Sequence, residues 1–464
     1  MSDVAPVLDR ADANLEGSLE RLFDLLRVKS ISTDPAYKSQ CREAAEWLVG
    51  ELKSLGFEAS LRDTEGHPMV VAHHDGASPD APHALFYGHY DVQPVDPISL
   101  WEADPFDPAV RQGADGAKVI TGRGSADDKG QLMTFVEACR AYKETKGSLP
   151  CRITILFEGE EESGSPSLQP FLKANAEELK ADFALVCDTS MWDAQTPAIS
   201  AGLRGLVGEQ VTVTAADRDL HSGYFGGAAA NPIQILVKAL ADMHDESGRV
   251  TIPGFYEGVE ETPENVKSSW KTLGQTDEAF LGEVGLSIPA GEKGRSVLEL
   301  TWARPTAEIN GISGGYTGDG FKTVIASQAM AKVSFRLVGK QDPEAIRANF
   351  RAFVKERIPA DCSVEFHRHG GSPAIQLPYD SPVLTKAKTA LSDEWPKPAV
   401  TIGMGGSIPI VGDFQSKLGM DSLLVGFGLS DDRIHSPNEK YNLTSFHKGI
   451  RSWIRILDAL GGPR

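Results

Sequence analysis

Apolar residues recur at helical spacing near the start of the chain. Leu15, Leu19, Leu22 and Leu26 fall at i, i+4, i+7 and i+11, one face of a helix. A second helix is expected over Arg42 to Leu55, with Ala45, Leu48, Leu52 and Leu55 inward and Gly56 as its stop. Short apolar runs follow in "HALFYGHYDVQP", "CRITILFEGEEESGS", "ADFALVCD" and "DSLLVGFGL", with a helical stretch from Lys129 to Tyr142 between the first two. Continuous apolar strands alternating with helices predict a mostly parallel sheet covered on both faces. Near Gly202 the pattern changes. "GLVGEQVTVTAA" alternates like an antiparallel strand with one wet face. A helix ("NPIQILVKALADMH"), a strand ("QAMAKVSFRLV"), a helix ("DPEAIRANFRAFVKE") and a strand ("CSVEFHRHGG") come after it. Together they predict a smaller α+β unit with its helices on one face of a sheet. Residues 250–320, rich in Gly, Pro and acids, read as an insertion within that unit, and the α/β pattern resumes near Asp380. The expected organisation is one discontinuous α/β domain, residues 1–204 and 380–464, interrupted by a second domain over 205–379.

Composition narrows the class. The chain has 464 residues, 41% hydrophobic and 24% charged, as in an ordinary soluble globular protein. A net charge of -19 disfavours nucleic acid and anionic membrane as partners. The N-terminal "MSDVAPVLDRADANLEG" lacks the basic and apolar regions of a signal peptide, and no apolar run approaches the ~20 residues of a membrane span. A cytoplasmic location is expected. The cysteines, Cys41, Cys139, Cys151, Cys187 and Cys362, are widely spaced with no CxxC pair, so neither a disulfide framework nor a cysteine-zinc knuckle is expected. Cys139, Cys151 and Cys187 lie in apolar segments and read as buried thiols.

Candidate chemistry gathers at strand ends. His89 and Asp91 stand two apart after an apolar run, so they face one side of a strand, where the His suits a metal and the carboxylate can orient it. Asp127 and Asp128, flanked by glycines in "GRGSADDKGQ", suit either an ion or the N-cap of the helix that follows. Glu160, Glu161 and Glu162 end another apolar strand and would repel one another unless a cation were present. One carboxylate left free of metal would serve as general base. Asp188 ends "ADFALVCD", and His435 lies in the loop "LSDDRIHSPNEKY". Each signal has a bland alternative: strand end, helix cap, solvated acidic loop. As a set they concentrate where open α/β sheets build their sites. Two histidines and three carboxylates without a thiolate suit zinc, manganese or cobalt.

Taken in order, the segments "YGHYDVQP", "GRGSADDKG", "FEGEEESGS", "VCDTSMW", "LHSGYFGG", "KTVIASQ", "SFRLV", "GGSIP" and "HSPNEK" closely resemble the M20 family of metallopeptidases, and within it the carnosinase-like dipeptidases. The resemblance implies a zinc-peptidase-like α/β domain, a mixed sheet flanked by helices, with an inserted α+β lid and dimerisation domain. It implies two divalent cations per subunit, zinc foremost with manganese or cobalt as substitutes. His89 and Asp188 would be terminal ligands of one, Glu162 and His435 of the other, with Asp127 bridging. Glu161 matches the general acid/base, and Asp91 the residue that orients His89. Only the family's spacing chooses among the three glutamates. His221, Thr323, Arg336 and Ser407 resemble substrate-binding positions, with His221 reaching the site of the partner subunit in a homodimer. The resemblance also implies a cis peptide between Asp127 and Asp128. The expected reaction is hydrolysis of dipeptides or short peptides with a free C-terminal carboxylate. Carboxypeptidase action, or an aminoacylase-type reaction on N-acyl amino acids or another small amide, is the alternative.

Overall fold

The computed structural model describes residues 4–113, 116–405 and 409–461. The chain divides into two compact units, the first of residues 1–201, 377–401 and 413–464, the second of residues 202–376 and 402–412. In chain order the strands begin with β1 (Glu58–Arg62), β2 (Met69–His74), β3 (His83–His89), β4 (Ala109–Gln112), β5 (Lys118–Thr121), β6 (Arg152–Glu158) and β7 (Phe183–Val186). They continue with β8 (Ala198–Leu203), β9 (Gly205–Thr214), β10 (Leu220–His221), β11 (Thr306–Gly314), β12 (Val324–Ile325) and β13 (Gln328–Leu337). The last are β14 (Ser363–Ser372), β15 (Ile375–Gln376), β16 (Val400–Met404), β17 (Ser422–Val425) and β18 (Lys440–Asn442). The first helices are α1 (Ala5–Ala13), α2 (Leu15–Arg27), α3 (Lys38–Ser54) and α4 (Lys129–Lys146).

The main sheet of the first unit runs β1-β2-β6-β3-β7-β17-β8. Its centre, β6, β3, β7 and β17, is parallel, as the apolar runs predict. Its flanks are antiparallel: β2 on β6, β1 on β2, and β8 on β17. The segment joining β1 to β2, residues 63–68, is too short for a parallel crossover, which needs about a dozen residues. The sheet is therefore mixed. Phe86 of β3 stacks on Phe135 of α4 with ring centroids 3.7 Å apart, and Trp453 of the C-terminal helix Leu443–Gly461 meets both rings edge-on. This aromatic layer fixes α4, and hence its N-terminal turn, against β3. Cys41, Cys139, Cys151 and Cys187 are buried free thiols.

In the second unit β11-β13-β9-β14 form an antiparallel sheet. Along β9, Val207, Glu209, Val211 and Val213 are buried while the residues that alternate with them are half-exposed. The helices Pro232–Ala241 and Pro343–Lys355 bring Leu236, Leu240, Ile346 and Phe350 onto the buried face. Both begin with an Asx cap before proline: Asn231 accepts from Ile233 N and Asp342 from Glu344 N. Residues 250–320 are not wholly an insertion, because β11 lies inside them and is the edge strand beside β13. Its side chains are mostly exposed, so the alternation that marks β9 is missing from its sequence. β10 and β12 make a separate two-stranded pair. Among the described residues no helix is long and apolar enough to cross a membrane.

Candidate metal centre

Parallel pairing brings the functional ends of the first unit together. His89 ends β3 in register with Glu158 of β6, and β7 runs beside β3 and stops just short of Asp188. The turn after β6 carries Glu161 and Glu162 as a 3-10 turn, and the loop after β17 carries His435. Asp127 lies just before α4, and its peptide bond to Asp128 is cis.

The side chains form two donor groups that share Asp127. In one, single donor atoms of His89, Asp127 and Asp188 all lie within 4.8 Å of one another; in the other, those of Asp127, Glu162 and His435 do. His89 Nε2 is 3.0 Å from one Asp127 oxygen, and His435 Nε2 is 3.0 Å from the other. His435 Nε2 is also 3.1 Å from Glu162. Burial opposes the Asp127 charge, but the hydrogen bonds with His435 and His89 outweigh it and hold the carboxyl below its usual range. Hydrogen bonds with Asp127 and Glu162 carry the His435 imidazole up to about 10. Burial also opposes a charged His89, yet Asp127 and Asp91 raise it well above the ordinary histidine value. Asp188 goes the opposite way: burial, then repulsion from Asp127, Glu161 and Glu162, drives its carboxyl far up, and His89 offsets this only in part. A divalent cation would relieve that repulsion. The donors are nitrogen and oxygen without sulfur, a set that fits zinc, manganese or cobalt.

The three glutamates after β6 separate by their partners. Glu160 is buried and turned away, its oxygens accepting from His67 N at 2.8 Å and Ser167 N at 2.9 Å. Glu162 meets His435 and accepts from Gln93 Nε2 at 2.7 Å. Among the described residues the Glu161 carboxylate accepts no hydrogen bond, and burial with the nearby Glu162 and Asp91 charges raises it, against the pull of His89. Asp91 accepts from Glu161 N at 3.3 Å, Glu162 N at 3.1 Å and Ser32 Oγ at 2.5 Å, and its backbone carbonyl lies 3.1 Å from His89 Nδ1. Asp128 occupies the N-cap position of α4, but its side chain does not cap; it accepts from His89 N at 3.1 Å.

Several contributors escape a reading by residue type. Gln93 continues the i, i+2 series of His89 and Asp91, which was its available signal. Ser32 has no such signal. The second unit holds His221, Thr323 and Arg336. His221 is exposed, its Nδ1 accepts from Gly223 N at 3.0 Å, and its ring lies 4.9 Å from that of Tyr224. Ser222 N donates to the carbonyl of Thr323, so His221 and Thr323 are neighbours. Arg336 lies half-buried on β13 opposite Leu206 and Thr306. Ser407 lies outside the described residues.

The chain is similar to known proteins over most of its length. The chain is 31% identical over 459 residues to the Cys-Gly metallodipeptidase dug1 of Schizosaccharomyces pombe, covering 95% of this chain and 94% of that protein. It is 30% identical to the Beta-Ala-His dipeptidase of Homo sapiens over 83% of this chain and 76% of that protein. The crystal structure of the M20 family metallo-carboxypeptidase Sso-CP2 from Sulfolobus solfataricus superposes with a TM-score of 0.76 at 29% identity, covering 96% of this chain and 99% of that one. Residues 85–459 match peptidase family M20/M25/M40, and with these relatives they show that the chain is a metallopeptidase belonging to that family.

Proposed function

We propose that the chain hydrolyses dipeptides or short peptides with a free C-terminal carboxylate. The observation that carries this reading is the pair of donor groups joined at Asp127, with the unengaged Glu161 carboxylate beside them. His89 and Asp188 would hold one divalent cation, Glu162 and His435 the other, and Asp127 both; zinc suits the donors, as do manganese and cobalt. Such ions, when bound, supply Lewis acidity that acidifies water and polarises a carbonyl. Glu161 takes a proton from the attacking water and returns it to the leaving nitrogen. Asp91 holds the Glu161–Glu162 turn and orients His89. His221 steadies the developing oxyanion, Arg336 grips the C-terminal carboxylate as a guanidinium fork, and Thr323 and Ser407 add smaller polar contacts. In this reading residues 1–204 and 380–464 form the catalytic domain, residues 205–379 the lid and dimerisation domain, and the enzyme is a cytoplasmic homodimer.

Glu161→Gln tests the mechanism. Metal content should be unchanged while turnover falls about 100- to 10,000-fold. Full activity in that variant would remove Glu161 from the reaction. A second reading, carboxypeptidase action on longer peptides, is favoured by the similarity to the Sulfolobus metallo-carboxypeptidase. Dipeptides including Cys-Gly and β-Ala-His, longer peptides and N-acetyl amino acids, assayed side by side, separate these substrates from one another and from the aminoacylase alternative.

A further inference from the structure

Glu439 is fully buried and has no part in the reaction described above. Four hydrogen bonds converge on its carboxylate. Oε1 accepts from Ala126 N at 2.9 Å and Asp127 N at 3.1 Å. Oε2 accepts from Gly124 N at 3.0 Å and from Arg123 Nη1 at 2.8 Å. Its backbone carbonyl accepts from Gly122 N at 3.2 Å. The segment from Gly122 to Asp127 is thus wound around one side chain.

That side chain stands four positions after His435, in a loop with unusual backbone geometry. Arg433, His435 and Asn438 all have positive φ, at 56°, 60° and 63°, which side chains beyond Gly and Asn rarely adopt. The loop is pinned at both ends. Asp432 accepts from Leu429 N at 2.6 Å and from Lys440 Nζ at 2.7 Å. Asn438 donates to the Leu100 carbonyl at 2.9 Å and accepts from Glu102 N at 2.8 Å. Arg123 extends the same network to the Pro94 carbonyl at 3.1 Å and lies over the Trp101 ring. Glu439 therefore joins the loop that presents His435 to the loop that presents Asp127, at the Asp127 N–H and four residues along the chain from His435.

We infer that Glu439 is a positioning residue that sets Asp127 and His435 in register and so determines how tightly the Asp127–Glu162–His435 group holds its cation. This rests on the metal-centre reading given under Proposed function. No other acidic or amide side chain can replace it without loss. Glutamine would turn an amino group toward backbone N–H donors, and aspartate would fall short of them by one methylene.

The test compares wild type with Glu439→Gln and Glu439→Asp in two measurements. The first is hydrogen exchange of the peptide spanning residues 122–128 in metal-free protein. Both variants should exchange that segment at least about tenfold faster, with the rest of the molecule unchanged. The second is competitive titration with zinc against a chelator. The Asp127–Glu162–His435 site, which depends on both linked loops, should weaken about 10- to 100-fold, and the His89–Asp127–Asp188 site, which shares only Asp127, should weaken markedly less, a split that general destabilisation would not produce. Should Glu439→Gln fail to fold, Arg123→Gln, which removes a donor from the same carboxylate, should show the same split with smaller size. Folded variants with wild-type exchange and two wild-type sites overturn the inference. Equal weakening of both sites overturns it too. Wild-type protein that takes up no zinc, but whose 122–128 segment still loses protection in the variants, would sink the metal-centre reading and leave the link between the loops standing.

Discussion

A single carboxylate can organise several reactive groups through their backbone, and Asp91 does so here. It holds the N–H groups of Glu161 and Glu162 and the hydroxyl of Ser32, while its own carbonyl lies against His89 Nδ1. Asp91→Asn leaves one oxygen for these donors and points an amino group at the rest. The expected result is a loss of about 10- to 100-fold in metal affinity or kcat/KM, read by chelator competition and by steady-state assay. Wild-type values in both would show that Asp91 organises nothing the site needs. His89 and Asp91 were legible in sequence because a strand repeats every two residues, so two polar groups after an apolar run must share a face. Glu439 was not legible. Its partners lie more than three hundred positions away along the chain, and apart from the Arg123 guanidinium they are backbone amides, which every residue type but proline carries. Similarly, Glu160, Glu161 and Glu162 look alike as residues, and only the directions imposed by the turn after β6 tell them apart.

At the level of elements, the last helix is held by charge as well as by its apolar face. Lys448, Arg451 and Arg455, at i, i+3 and i+7, converge on the buried Glu394 at 3.1, 2.8 and 2.8 Å. Burial opposes the Glu394 charge, but the hydrogen bonds from Arg451 and Arg455 prevail and lower its carboxyl below the ordinary value. A carboxyl lowered by folding contributes stability above its unfolded value and loses it as pH falls through the folded one. Glu394→Gln should therefore cost about 1–3 kcal/mol at neutral pH. The gap to wild type should shrink as pH falls below about 4.5, measured by urea unfolding at each pH. A gap that stays constant into acid would mean that packing, not charge, is what the substitution disturbs. Elements with strong apolar periodicity, such as α2 and β9, were legible from sequence; β11 was not. A strand at a sheet edge, with exposed side chains on both faces and Asn310 and Gly311 at its bulge, shows no alternation to read.

For the whole molecule, the question is where His221 acts. The proposed metal ligands all belong to the first unit, whereas His221 is an exposed residue of the second, paired with Val324 of β12 and with its ring beside that of Tyr224. If each site is completed by the partner's His221, two different inactive subunits can restore one another. Glu161→Gln destroys the site of the subunit that carries it but leaves that subunit's His221 free to serve elsewhere. His221→Ala leaves its own metal centre and Glu161 intact but fails its neighbour. In a mixed dimer one site then carries both defects and the other carries none. Random pairing of equal amounts makes half the dimers mixed, so activity should recover to about a quarter of wild type. The recovery should follow dissociation and reassociation, and it should be absent when the variants are mixed as preformed dimers. If His221 instead serves its own subunit, every site in the mixture has a defect and no activity returns. A quarter-value recovery would establish both the dimer and the reach of His221 across it; its absence with two stable, metal-loaded variants would discard the shared site.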